Sequence, residues 1–246
     1  MRRLGLALLV TGVGCGFTPL TNKVQVGEEA FVIVVGEGRD GAVDLFAAPA
    51  EGGKFYQLTY NLVAESKPTL APSGTRVAFL RESPGGGGLD LILQNLLNGT
   101  ETPHRLPPEA GAVVRLGFGS TDDSLVVAAD HGLYLVTDGG IEAVSALPAL
   151  RLDSLTYQRL GEVGFASLRT CRAGSGWCLV RGSDQETALP TDATDPIRWG
   201  SDGMAYLRNG HLEVRPLGGG RIRQPTWPNQ PPKLRQPTQH PGSRRP

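Results

Sequence analysis

The chain has 246 residues, with 24 basic and 24 acidic side chains, 34 glycines, 19 prolines and 39% hydrophobic residues. No stretch of a dozen residues keeps apolar spacing of three and four without Gly or Pro interrupting it, which excludes a helical fold. What remains is an all-β chain of short strands and many turns.

Arg2 and Arg3 precede an apolar run over residues 4–10, and Thr11-Gly12-Val13-Gly14-Cys15 follows. This pattern is a short secretory signal. The run is far below the ~20 residues of a membrane-spanning helix, and the other reading of it is a buried first strand. Gly12-Val13-Gly14-Cys15 resembles the bacterial lipobox, in which a small residue precedes a cysteine that is diacylated and becomes the mature first residue. Gly12 stands where Leu is usual, and a general signal peptidase cutting at the same bond is the alternative. The resemblance implies a removed signal over residues 1–14, lipidation of Cys15 and a short tether over 15–22. Each methylene placed in the bilayer contributes ~0.8 kcal/mol. Gly16 after the cysteine, rather than Asp, implies sorting to an outer membrane where the host has one.

Beyond residue 23 the chain repeats. Phe31, Phe79, Val127, Phe165 and Tyr206 recur at intervals of 48, 48, 38 and 41 residues, the period of a four-stranded propeller blade. The clearest unit runs from Pro68 through the turn Pro72-Ser73-Gly74 to Val77-Ala78-Phe79, then Asp90-Leu91-Ile92. Residues 116–127 overlay it without a gap, and Ile197 to Tyr206 repeats it two residues shorter. Further third strands read Asp44-Leu45-Phe46, residues 132–136, residues 176–180 and His211-Leu212-Glu213-Val214. The fourth repeat rests only on Phe165 and a hairpin near Trp177. Gly52-Gly53-Lys54-Phe55-Tyr56 echoes Gly219-Gly220-Arg221-Ile222-Arg223, so both ends seat a whole blade and ring closure is open. The expected fold is an all-β propeller of five four-stranded blades over residues 23–227; a sandwich or irregular barrel shares the composition but not the recurring anchor.

Pro72-Ser73-Gly74, Val77-Ala78-Phe79 and Gln57-Leu58-Thr59 together resemble the repeat of TolB-type β-propellers, which carries a Ser-Pro-Asp-Gly turn, an Ile-Ala-Phe strand and a Leu-Thr ending. Ser73 stands in place of the turn Asp, and the blade after Gly140 lacks the Leu-Thr ending. Such repeats occur in binding proteins and fused to peptidases, so the resemblance implies a fold rather than an activity.

Cys171 and Cys178 flank a turn at Gly174-Ser175 and read as directly opposed across a hairpin, a spacing a disulfide spans. Two buried free thiols are the alternative; a zinc site lacks the other two ligands. Phe31 to Val35 leads into Gly36-Glu37-Gly38-Arg39-Asp40-Gly41, which matches a dinucleotide fingerprint. A strand follows where that site needs a helix, so the stretch is a hairpin and no cofactor is expected. His104, His131, His211 and His240 are scattered, Asp122 and Asp123 read as solvated turn acids, and no catalytic or metal site is expected. Asn98-Gly99 reads as a hairpin turn.

Residues 228–246 hold six prolines, Lys233, Arg235, Arg244 and Arg245, and no acid, and they read as a disordered basic tail. Its reach is either to anionic lipid or wall polymer, or to nothing beyond solvent. Without the tail, Arg2 and Arg3, 18 basic residues face 24 acidic ones, so the body carries −6 and nucleic acid is not an expected partner. The functional expectation is a monomeric, lipid-anchored propeller of the bacterial envelope. It binds or scaffolds an envelope protein or cell-wall component through loops such as those at Arg81, Glu82, Arg169 and Arg208. The alternative is a small lyase- or lactonase-type enzyme using the central funnel, with His131 or His211 beside two carboxylates.

Overall fold

The second strand of each repeat reads as an unbroken apolar run, Phe31-Val32-Ile33-Val34-Val35 or Val77-Ala78-Phe79-Leu80, because it is covered on both faces. A computed structural model describes residues 16–17, 19–20, 23–24, 26, 28–38, 41–84, 88–119, 121–144, 167–170, 177–181, 185–199, 203–216, 220–231 and 233–240.

Strand β1 (Gly16–Phe17) precedes a first meander of β2 (Phe31–Glu37), β3 (Val43–Pro49) and β4 (Tyr56–Gln57). Next comes β5 (Thr59–Tyr60), which pairs with β1. The second meander is β6 (Glu65–Leu70), β7 (Arg76–Glu82), β8 (Leu89–Asn95) and β9 (Glu101–His104). The third is β10 (Val113–Phe118), β11 (Leu125–Ala129), β12 (Gly132–Thr137) and β13 (Gly140–Val144). Three strands follow, β14 (Ser167–Thr170), β15 (Trp177–Arg181) and β16 (Gln185–Ala188), then β17 (Thr194–Trp199), β18 (Gly203–Arg208) and β19 (His211–Pro216). Last in the chain is β20 (Lys233–His240).

Among the described residues these make sheets β20-β2-β3-β4, β6-β7-β8-β9, β10-β11-β12-β13, β14-β15-β16 and β17-β18-β19, all antiparallel. Alternate residues of one second strand face opposite neighbours. From β7, Val77 and Phe79 pack with Phe31, Ile33 and Val35 of the first sheet. Ala78 and Leu80 turn the other way, onto Leu116, Phe118 and Val127 of the third. Val32 and Val34 pack with Trp199, Ala205 and Leu207 of the sheet β17-β18-β19, so the first sheet and that sheet also meet face to face. Sheets stacked in this way around an axis make a β-propeller. Burial of each such Val, Leu, Ile or Phe contributes ~1.5–3 kcal/mol, and the apolar second strands supply most of it.

Two expectations about the ends need correction. Residues 233–240 are not a disordered tail: they form β20 and supply the innermost strand of the first sheet, paired with β2 from Glu37↔Lys233 to Phe31↔His240. Composition concealed this because only Leu234 and Pro237 need burying on that edge; the remaining side chains are polar without penalty. Strands from the two ends of the described propeller therefore share one sheet, and the propeller runs past residue 227. Nor is the stretch after Cys15 a free tether, since Gly16 pairs with Tyr60 and the buried Leu20 donates its N–H to Leu96 O at 3.0 Å. Residues 1–15 and Phe165 lie outside the described residues.

Candidate functional site

The innermost strands β6, β10, β17 and β20 lie side by side, β6 touching β20 and β10, and β20 touching β17. Each carries a bulge at the same level. On β6, Lys67 and Pro68 together oppose Phe79; on β17, Asp195 and Pro196 oppose Tyr206; on β20, Gln236 and Pro237 oppose Val34. On β10 the extra residue is Val114. The prolines are buried, which leaves the residue before each of them turned toward the axis. A proline fits an innermost strand because the N–H it lacks would have no ladder partner there.

The residue before each proline is left-handed: φ is +51° at Lys67, +47° at Asp195 and +45° at Gln236. An L-residue held there costs on the order of 1–3 kcal/mol. Hydrogen bonds tie one bulge to the next. Lys67 N–H donates to Gln236 Oε1 at 2.6 Å, Gln236 N–H to Asp195 Oδ2 at 3.3 Å, and Lys67 Nζ to Val114 O at 3.3 Å. One level further along, Leu70 N–H donates to Thr238 Oγ1. An ammonium, an amide and a carboxylate thus stand in one arc around the axis, a surface suited to peptide groups or sugar hydroxyls. The sequence reading missed this arc. Its signal is the echo Lys67-Pro68-Thr69, Asp195-Pro196-Ile197 and Gln236-Pro237-Thr238.

A second polar cluster lies between the first two sheets. Asp44 and Glu65 are both almost fully buried. Asp44 accepts from Asn61 N–H at 3.1 Å and from Gln57 Nε2 at 3.0 Å; Glu65 accepts from Thr59 Oγ1 and Asn61 Nδ2, both at 2.5 Å. Arg81 reaches Glu65 at 2.9 Å and Glu101 in a bidentate pair at 2.7 and 2.8 Å. Burial lifts the Glu65 carboxyl above the usual carboxylate range against the pull of Thr59 and Arg81. Burial acts to lower Arg81, but Glu101 and Glu65 outweigh it and raise its pKa.

Arg81, expected on a loop, therefore lies on β7 inside this cluster. Arg208 pairs with Asp192 at 2.9 Å and Glu82 is exposed, while nothing is described of the Arg169 side chain. Asp122 is not a solvated acid: Ser73, Thr75 and Arg76 of one sheet bind it from across the blade boundary. The Ser73-Gly74 turn, with Gly74 at φ +74°, presents those donors. Gly38 and Gly41 close the β2–β3 hairpin as expected. Cys178 is buried on β15 but opposes Arg169, not Cys171, because the hairpin register differs from the one expected; Cys171 lies outside the described residues. Cys15 also lies outside them. His131 and His211 sit at hairpins between the second and third strands of two different sheets, and His131 N–H donates to Ala110 O at 3.1 Å, just before β10.

A cleft of about 300 Å³ opens between residues 50–53 and 224–226, above Trp199 and Val214. It exists because the fourth strand of the β17-β18-β19 sheet shrinks to one bridge, Val214↔Arg223. Pro216 and Pro225 stand two residues beyond either end and cannot donate to a longer ladder.

The fold and its axial arc define the class, a β-propeller. Solved TolB structures are among its neighbours. The chain is similar to TolB from Acinetobacter baumannii at 10% identity and a TM-score of 0.45, covering 86% of this chain and 66% of that one. It is also similar to a protein provisionally assigned as TolB from Agrobacterium tumefaciens, at 12% identity and a TM-score of 0.38, covering 80% of this chain and 63% of that one. A provisionally assigned 6-phosphogluconolactonase from Bacteroides uniformis is similar at 11% identity and a TM-score of 0.33, over 81% and 68% of the two chains. The chain spans slightly under two thirds of the length of both TolB structures. No protein-family model and no curated protein matches it.

Proposed function

We propose that this chain is a bacterial envelope protein, lipid-anchored through Cys15, whose propeller binds or scaffolds an envelope protein or a cell-wall ligand at its axis. The observation that carries this reading is the arc of Lys67, Gln236 and Asp195. Three L-residues are kept in a costly backbone region at one level of the ring, where glycine would remove the cost, and such retained strain is a mark of a binding surface. The arc offers donors and acceptors in fixed positions, which is preorganisation for a polar ligand.

The rival funnel enzyme needs His and carboxylates converging on the axis, whereas His131 and His211 stand at separate hairpins. A Cys171–Cys178 disulfide belongs to the same envelope reading. It is supported by the burial of Cys178; two alkylatable thiols in the unreduced, folded protein would remove it.

The test is photo-crosslinking in envelope preparations from residue 67 or 195, with residue 222 on the outer edge as control. A shared adduct from both axial positions and none from residue 222 is expected. Adducts from residue 222 alone would move the site to the rim.

A further inference from the structure

We infer that the loop carrying Tyr60 and Leu62 is a membrane-contact surface that fixes how the propeller stands on the bilayer; this rests on the lipid anchor at Cys15 proposed above. Residues 59–62 alternate as a strand does, but with the polarity inverted. Thr59 and Asn61 point inward at 1% and 6% exposure, while Tyr60 is 54% exposed and Leu62 fully exposed. A lone exposed leucine means little. Here the apolar residues are held out by bonds that hold the polar ones in. Asn61 gives its N–H to Asp44 and its Nδ2 to Glu65, Thr59 gives its hydroxyl to Glu65, and Arg81 with Glu101 completes the cluster behind them. Burying two carboxylates to keep Tyr60 and Leu62 in solvent makes no sense for a face that meets only water.

Position identifies the occupant. Gly16 is the register partner of Tyr60, and Cys15 is the next residue, one Cα step of ~3.8 Å away. Acyl chains on Cys15 therefore enter the bilayer beside this loop. A tyrosine, with its apolar ring and polar tip, suits the head-group level, and a leucine suits the layer below it. Strand β6 runs from Glu65 beside this loop to Leu70 beside the turn at Ser73-Gly74, six residues or ~20 Å distant. The end of the axis with the Ser73 and Asp122 turns then faces away from the membrane, open to a partner.

The experiment uses the full chain, with an environment-sensitive fluorophore on Leu62→Cys or, at the opposite end, on Leu97→Cys, in phosphatidylethanolamine–phosphatidylglycerol vesicles. Leu97 belongs to that end because Leu96 N–H bonds Thr75 O. Expected is a blue shift and quenching by a lipid-borne quencher at residue 62, with residue 97 unchanged. A label at 62 that stays aqueous on vesicle-bound protein, or one that inserts at 97 instead, overturns the inference. The anchor is read separately, from the mass of the N-terminal peptide. Should that mass show no acyl chain, the anchor reading falls and flotation of the Cys15→Ser protein decides the loop. A roughly tenfold loss of vesicle binding with Leu62→Asp supports it, and equal binding or none overturns it.

Discussion

Lys67 stands at φ +51°, where the Gln236 carboxamide oxygen accepts its N–H. Glycine there would release roughly 1–3 kcal/mol of backbone cost and add about 0.5–1 kcal/mol of unfolded-chain entropy. Lys67→Gly is therefore expected to melt at or slightly above the wild-type temperature while weakening the adduct formed from residue 195. A drop in stability beyond about 1 kcal/mol would mean that Lys67 is retained for folding rather than for binding. Arg81 answers differently, because its partners are buried. Arg81→Ala strands Glu65 without a cation and is expected to cost about 3–5 kcal/mol in urea unfolding. Glu65 also sets a pH signature. Its carboxyl lies above its ordinary value of 4.5, so folding favours the protonated form. That stabilisation is fully present below 4.5 and is lost as pH rises through the folded value. Glu65→Gln has no such dependence, so wild type should gain on the variant as pH falls from 7 toward 4.5. A stability gap between the two that is flat with pH contradicts the assignment.

At the scale of elements, β20 decides whether the first sheet is complete. Leu234 is 5% exposed and belongs to the cluster that joins β2 to the β17-β18-β19 sheet, while Thr238 and Gln236 serve β6. Truncation after residue 232 is expected to abolish the cooperative unfolding transition seen by circular dichroism. Truncation after residue 240 should leave it within about 0.5 kcal/mol of wild type.

The same strand marks the limit of what could be read from the chain. The Phe79-type anchors were legible because residues buried on two faces must be apolar over a continuous run, and four of the five anchors fall on second strands as expected. In β20 one face turns to the axis and its partner strand lies some 200 residues away, so Lys233 to His240 has no local period, and the six prolines of residues 228–246 dominate the composition around it. The Asp44–Glu65–Arg81 cluster was hidden for a related reason. Its members come from β3, β6 and β7, and a buried carboxylate has the same letter as a solvated one. Residue 81 could be singled out, but not its burial.

For the whole molecule the decisive contact is the one between β2 and β20, since each of the other described sheets of three or four strands is built from neighbours in sequence. Glu37 at the end of β2 holds Lys233 Nζ at 2.8 Å and Arg235 at 3.1 Å, and the hydrogen bond from Lys233 lowers its pKa. This pair is exposed and adds little by itself. Its position makes it useful, because Glu37 and Lys233 are register partners at the end of the β2–β20 ladder. Paired α-carbons in an antiparallel ladder lie ~4.5–5.5 Å apart, within disulfide reach. A Glu37→Cys/Lys233→Cys staple in a Cys15→Ser background would close a loop of nearly the whole propeller. Chain entropy then gives an upper limit of about 5 kcal/mol. The stapled ring should form in air without denaturant, shift the urea midpoint upward, and lose that gain on reduction. Unfolding should also slow, because a ring opens at its weakest seam. Thiols that stay free in the folded protein would show that β20 does not occupy the inner edge of β2, and the sheet shared by β20 and β2 would fall with it.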